Sequence, residues 1–141
     1  MADNGGDFLR SMSIATSGLR AQAGRMRVIS ENIANADSTS PTAGGDPYRR
    51  KVPTFSSALD RTLDARVVTL GKVRPDQSAF RVKHEPSNPA ADAAGNVKYP
   101  NVNPLVEMTD MREAQRSYEA NLNIISATRR MIQRTLDILK A

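Results

Sequence analysis

Residues 104–140 read PLVEMTDMREAQRSYEANLNIISATRRMIQRTLDILK, and within them Met111, Gln115, Tyr118, Leu122, Ile125, Arg129, Ile132, Leu136 and Leu139 alternate by four and three. That spacing draws a seam along one side of an α-helix. Two starts compete. Asn103 offers a capping side chain before a proline at the first helical position, whereas Asp110 with Glu113 resembles a capping box. Leu105 and Met108 carry the apolar face back towards Pro104, so the earlier start is expected. Glu107, Asp110, Glu113 and Glu119 precede Arg129, Arg130, Arg134 and Lys140, the order that the helix dipole favours. One helix from Pro104 to Lys140 would reach about 55 Å, too long for a small globule.

The other end of the chain has the same rhythm. Phe8, Met12, Ala15, Leu19, Gln22, Met26, Ile29 and Ile33 form a second four-three seam, with Asp7 placed to cap its start and Asn35, Asp37, the Ser/Thr cluster and Pro41 to end it. Gly18 and Gly24 lie inside this helix, each costing about 1 kcal/mol of helix propensity relative to alanine. A helix that keeps two such residues gains from close approach by a neighbour.

Between the helices the composition changes. Ser-Pro, Gly-Gly and Asp-Pro pairs mark 36–57 as loop and turn. Residues 66–73 and 79–85 read as short strands, with Phe80, Val82 and His84 alternating. Turns follow through Pro86, Pro89 and the 92–95 stretch, before a short strand at 97–99. The expected architecture is mainly α: two long terminal helices packed as a coiled-coil-like pair with a small β-rich insert between them. The corresponding segments are 1–36, 37–102 and 103–141.

Composition narrows the function. The 141 residues hold no cysteine, one histidine, three phenylalanines, three tyrosines and no tryptophan. A disulfide framework and a thiolate zinc site are therefore excluded. His84 alternates with strand residues and has no nucleophile beside it, and no catalytic serine, zinc-protease or phosphate-loop motif occurs. No cofactor or metal is implied. The net charge of +5 is spread along the chain, 6 basic to 5 acidic residues in 1–50, 8 to 5 in 51–100 and 6 to 5 in 101–141. That is too even for a nucleic-acid-binding block. No run approaches the roughly 20 apolar residues of a membrane span, and the N-terminus lacks the basic and apolar regions of a secretory signal.

The seams remain the sharpest feature. They could pack only on each other, as a hairpin core, or also face neighbouring subunits. Gln22, Gln115 and Arg129 interrupt them, and polar residues at such positions fix register and partner choice. The C-terminal helix is also the longer, so part of its apolar stripe has no internal partner. An assembly protein without catalytic activity fits best. The alternatives are a small basic coiled-coil module binding nucleic acid or an acidic protein, and an enzyme's accessory subunit.

Ser17-Gly18-Leu19-Arg20-Ala21-Gln22, Arg25-Met26 and Asn32-Ile33-Ala34-Asn35 resemble the N-terminal signature of bacterial flagellar rod, hook and hook-filament axial proteins. Residues 45–51 (GDPYRRK), 99–104 (YPNVNP), Glu107-Met108, Met111 and 116–121 (RSYEAN) resemble the proximal-rod members of that family. Two turns of the insert differ from it: no aromatic follows Gly95, and Ser87-Asn88-Pro89 lacks a histidine.

The resemblance implies a subunit of the periplasm-spanning rod, exported through the flagellar type III apparatus without a cleaved signal and ordered on joining the rod. It implies torque transmission as the output. Other rod proteins, the export gate, adjoining ring proteins and copies of the chain itself are the implied partners, with no nucleic acid and no membrane span. Carried over by motif, Leu19, Asn32, Ile33, Asn35, Tyr118, Asn121, Leu122 and Ile125 are the expected assembly residues. Pro100, Asn101, Val102 and Asn103 are expected to turn the chain into the last helix.

Overall fold

The computed structural model describes residues 4–140. Helix α1 spans Asn4–Ala34 and helix α2 spans Pro104–Lys140, and the two pack against each other. Between them run β1 (Lys51–Val52), β2 (Phe55–Asp60), β3 (Ala65–Leu70), β4 (Arg74–Pro75), β5 (Arg81–His84) and β6 (Asn96–Tyr99). These strands form three separate antiparallel ribbons, β1 with β4, β2 with β3 and β5 with β6. The insert is therefore a set of hairpins and not one sheet.

Both helices end on the expected chemistry. Asn103 Oδ1 accepts the Leu105 amide at 3.1 Å, which caps α2 ahead of Pro104. At the end of α1 the Asn35 side chain donates back to the Glu31 carbonyl at 2.8 Å, and the Ser38 hydroxyl donates to the Asn35 carbonyl at 3.0 Å. The expected cap at Asp7 is corrected. α1 already includes Asn4, so Asp7 lies within the first turn and pairs with Arg10 at 3.7 Å.

The chain divides into two compact units. The first holds α1 up to Arg25, the β2–β3 hairpin (Phe55–Gly71) and α2 from Glu113. Its buried side chains are small: Ala15, Ala21, Ala114 and Thr128. The internal glycines explain why. A Cβ on Gly18 would lie 2.9 Å from the Asn121 amide, and one on Gly24 would lie 2.7 Å from a Leu70 methyl. Helix α2 and strand β3 thus approach α1 at Gly18 and Gly24. The second unit holds Met26–Thr54 and Lys72–Arg112. Here the buried residues are larger, with Val28, Ile29, Val97, Pro100, Val102 and Glu107 among them.

Two expectations change. The 36–57 stretch is not all loop, because Phe55 begins β2, which pairs with β3 from Phe55↔Leu70 to Asp60↔Ala65. Asp60 Oδ1 accepts the Thr62 amide at 2.9 Å and Asp64 takes a φ of 46°, so the turn closes the hairpin. The α2 seam is also displaced. On α2 within the first unit, Ala114, Ser117, Tyr118, Asn121, Ile125, Ala127, Thr128 and Ile132 are the buried or half-buried positions, whereas Gln115, Leu122, Arg129, Leu136 and Leu139 are among the exposed ones. Asn121 makes the close approach at Gly18, and Leu122 beside it is left exposed.

Candidate assembly site

The second unit centres on Asn32, the first asparagine of the Asn-Ile-Ala-Asn element, placed by the last turn of α1 and fully buried. Its Nδ2 donates to the Lys51 carbonyl at 2.8 Å and to Glu107 Oε2 at 3.0 Å. Its Oδ1 accepts the Tyr48 hydroxyl at 2.8 Å and the Lys51 amide at 2.9 Å. A carboxamide has two donor hydrogens and two acceptor lone pairs, and here all four are used. One side chain therefore ties α1, the 48–51 segment and α2 together.

Glu107, in the first turn of α2, is 1% exposed and takes the Arg50 Nε at 2.6 Å on its other oxygen. Arg50 extends the network to Asp76 at 3.5 Å and Asp110 at 3.8 Å. Burial works against the guanidinium charge, but Glu107 and Asp76 outweigh it and raise the Arg50 pKa above its ordinary value. Hydrogen bonds from the Ser78 backbone and hydroxyl, with Arg50 beside them, hold Asp76 below the usual carboxylate range. Burial first, and then the charges of Glu31 and Glu107, push the Tyr48 hydroxyl up to about 12. A buried ion pair contributes little net stability, but removing one partner strands the other. Such a node defines one register between the segments it joins.

The turn into α2 is built onto the same node. Asn101 Oδ1 accepts the Arg50 amide at 2.8 Å, while its Nδ2 donates to Ser78 Oγ at 2.8 Å. Pro100 and Val102 are buried beneath it, and Asn103 is the cap. Residues of the 32–35, 45–51 and 99–104 motifs, far apart in the chain, thus meet in one polar cluster with Glu107. Sequence reasoning missed the cluster. It took Glu107 as a dipole charge, yet Glu107 lies four residues before Met111, on the seam itself, where a carboxylate needs a buried partner.

The other expected assembly residues are dispersed. Ile33 is half-buried, and Asn35 is engaged in closing α1. In the first unit, Leu19, Tyr118 and Ile125 are half-buried and Asn121 lies against Gly18. Leu122 differs from them, with 42% of its surface exposed. It shares the open surface of α2 with Ile124, Met131, Leu136, Ile138 and Leu139, the last two about three-quarters exposed. Gln22 keeps a buried Oε1 without a hydrogen-bond partner. Among the described residues there is no cluster of His, Asp and Glu that could hold a metal ion, and no helix long and apolar enough to cross a membrane. The node's charged groups are occupied by one another, which is structural chemistry.

Known proteins share this pattern along nearly the whole chain. A rod protein of Agrobacterium fabrum, the flagellar basal-body protein FlgC, is 54% identical over 128 residues, covering 91% of this chain and 92% of its own. The chain belongs to the FlgC family of flagellar basal-body rod proteins. FlgC of Bacillus subtilis is 38% identical over 92% of this chain and 97% of its own. FlgC of Salmonella typhimurium is 38% identical over 93% and 97%. Residues 12–40 match the flagella basal body rod protein model, and residues 93–138 match the C-terminal model of flagellar basal body rod FlgEFG proteins. The two matches cover the Asn32 and Glu107 sides of the node. FlgC-family membership makes the chain a structural rod protein and not an enzyme.

Proposed function

We propose that this rod subunit joins its neighbours through the exposed apolar side chains of α2, from Leu122 to Leu139, while the Asn32–Glu107 node holds each subunit in one register. The observation that carries this reading is the displaced seam. Asn121 lies against Gly18 of α1, while Leu122, Ile124, Met131, Leu136, Ile138 and Leu139 are exposed. A helix does not keep six large apolar side chains in water along one length unless something covers them. Contacts of this kind, between unlike faces, generate filaments rather than closed rings.

The position in the rod is the proximal segment, and the output is torque transmission across the periplasm. Other rod proteins and copies of this chain are the principal partners, with the export gate and ring proteins adjoining. Export uses the flagellar apparatus without a cleaved signal. Support for these finer assignments comes from the FlgC relatives and from the shared motifs.

Leu122→Asp tests the reading in a strain lacking the wild-type gene. The variant subunit is expected to be folded and exported but absent from basal bodies, leaving cells non-motile. Normal incorporation of Leu122→Asp would remove the α2 face from the interface.

A further inference from the structure

We infer that the free chain forms a closed dimer through strand β2, which pairs antiparallel with β2 of a second copy. The outer edge of β2 is open. Val68 donates its amide to the Ser17 hydroxyl of α1 at 3.1 Å, so that amide points away from β2. Val68 is the cross-strand partner of Ser57. In an antiparallel pair the two partners face alike, so the amide and carbonyl of Ser57 also point outwards, as do those of Phe55 and Leu59. Every residue from Phe55 to Leu59 is exposed.

The three ribbons differ in how their edges are guarded. Natural edges are blunted by charge, proline or shortness. Strands β1 and β4 have two residues each, and β4 carries Arg74 and Pro75. Strand β5 carries Arg81, Lys83 and His84. Strand β2 presents five uncharged residues, Phe-Ser-Ser-Ala-Leu, before its terminal Asp60, with no proline and a continuous register to β3. An unguarded edge is open to water or to another extended backbone.

A second copy fits because the outward set is its own complement. Phe55, Ser57 and Leu59 read apolar, polar, apolar at every second position. Centred on Ser57, antiparallel pairing sets Phe55 of each copy across from Leu59 of the other, with the two serines opposite one another. Such pairing supplies up to about six backbone hydrogen bonds and two aromatic–aliphatic cross-strand pairs. The contact is twofold and closes on itself, so it cannot propagate a filament. Dimerisation therefore competes with incorporation into a rod, and the hairpin edge must open first. The dimer itself holds whether or not the chain enters a rod.

Ser57→Pro is the test. It deletes an outward donor that the β2–β3 ladder does not use. Sedimentation equilibrium of the purified full chain is expected to show a concentration-dependent dimer, and Ser57→Pro to raise its dissociation constant at least tenfold. Leu59→Lys, which keeps the backbone and adds an edge charge, is expected to act in the same direction. Val82→Pro on the guarded β5 edge is expected to leave the constant unchanged. A wild-type chain that stays monomeric, or a dimer unaffected by both β2 variants, would overturn the inference. Folded Ser57→Pro subunits are expected to enter rods at least as well as wild type. Failure to enter would assign the edge to the rod contact and overturn the closed pair, while leaving the α2 reading to its own test.

Discussion

Asn32 shows how a polar side chain can occupy the centre of a core. Its amide is fully satisfied, and its loss would leave the Lys51 backbone groups, the Tyr48 hydroxyl and one oxygen of the buried Glu107 short of a partner. Asn32→Asp keeps the shape, loses both donors and sets a second carboxylate against Glu107. The expected cost is about 3–5 kcal/mol of unfolding free energy, measured by urea denaturation of the purified chain. A change below about 1 kcal/mol would show that the node does not hold the unit together. Tyr48 offers a second reading of the same site. Its hydroxyl is raised from 10.0 to about 12 in the folded chain. The folded state thus keeps a proton that the unfolded state gives up, and this contribution to stability is intact below pH 10 and lost as pH rises from 10 towards 12. Alkaline absorbance titration is expected to show a late phenolate step near 12 that Tyr48→Phe abolishes. A Tyr48→Phe titration identical to wild type would contradict the raised pKa of this hydroxyl.

At the scale of elements, the end of α1 and the start of α2 were legible because capping is local, whereas the start of α1 was misplaced to Asp7. Asn103-Pro104 and Asn35 announce a start and a stop in two or three residues. The α1 seam was legible as well, since every residue from Phe8 to Ile33 in the four-three series is buried or half-buried. On α2 the same reasoning chose the wrong side at alternate positions. A search for large apolar residues finds Leu122, whereas the contact with α1 is made around Asn121, because Gly18 leaves room for a close approach. Large side chains mark where burial would be favourable, and they do not say which molecule provides it. Strand β2 was missed for a related reason. Phe-Ser-Ser-Ala-Leu-Asp has weak strand character, and it is extended because β3 and the Asp60–Asp64 turn bring it into register. The polar node was legible only as unconnected motifs. Tyr48, Arg50, Asn101 and Glu107 stand up to 59 positions apart (48 to 107) in the chain, and their convergence belongs to the fold.

For the whole molecule, the two units divide the work between cohesion and association. One is organised around a saturated polar cluster over the buried Val97, Pro100 and Val102. The other is organised around alanines and a bare glycine, and it carries the exposed leucines and isoleucines of α2. That pattern suits a subunit whose recognised relatives are rod proteins. The central claim is that the open α2 face is covered by another subunit. The chain contains no cysteine, so Leu122→Cys provides a unique thiol. Cross-linking from that position in purified basal bodies, read by mass spectrometry, is expected to join residue 122 to a peptide of a different subunit. Cross-links found only within the same chain, or a thiol that stays fully open to reagent inside the assembled rod, would contradict the account.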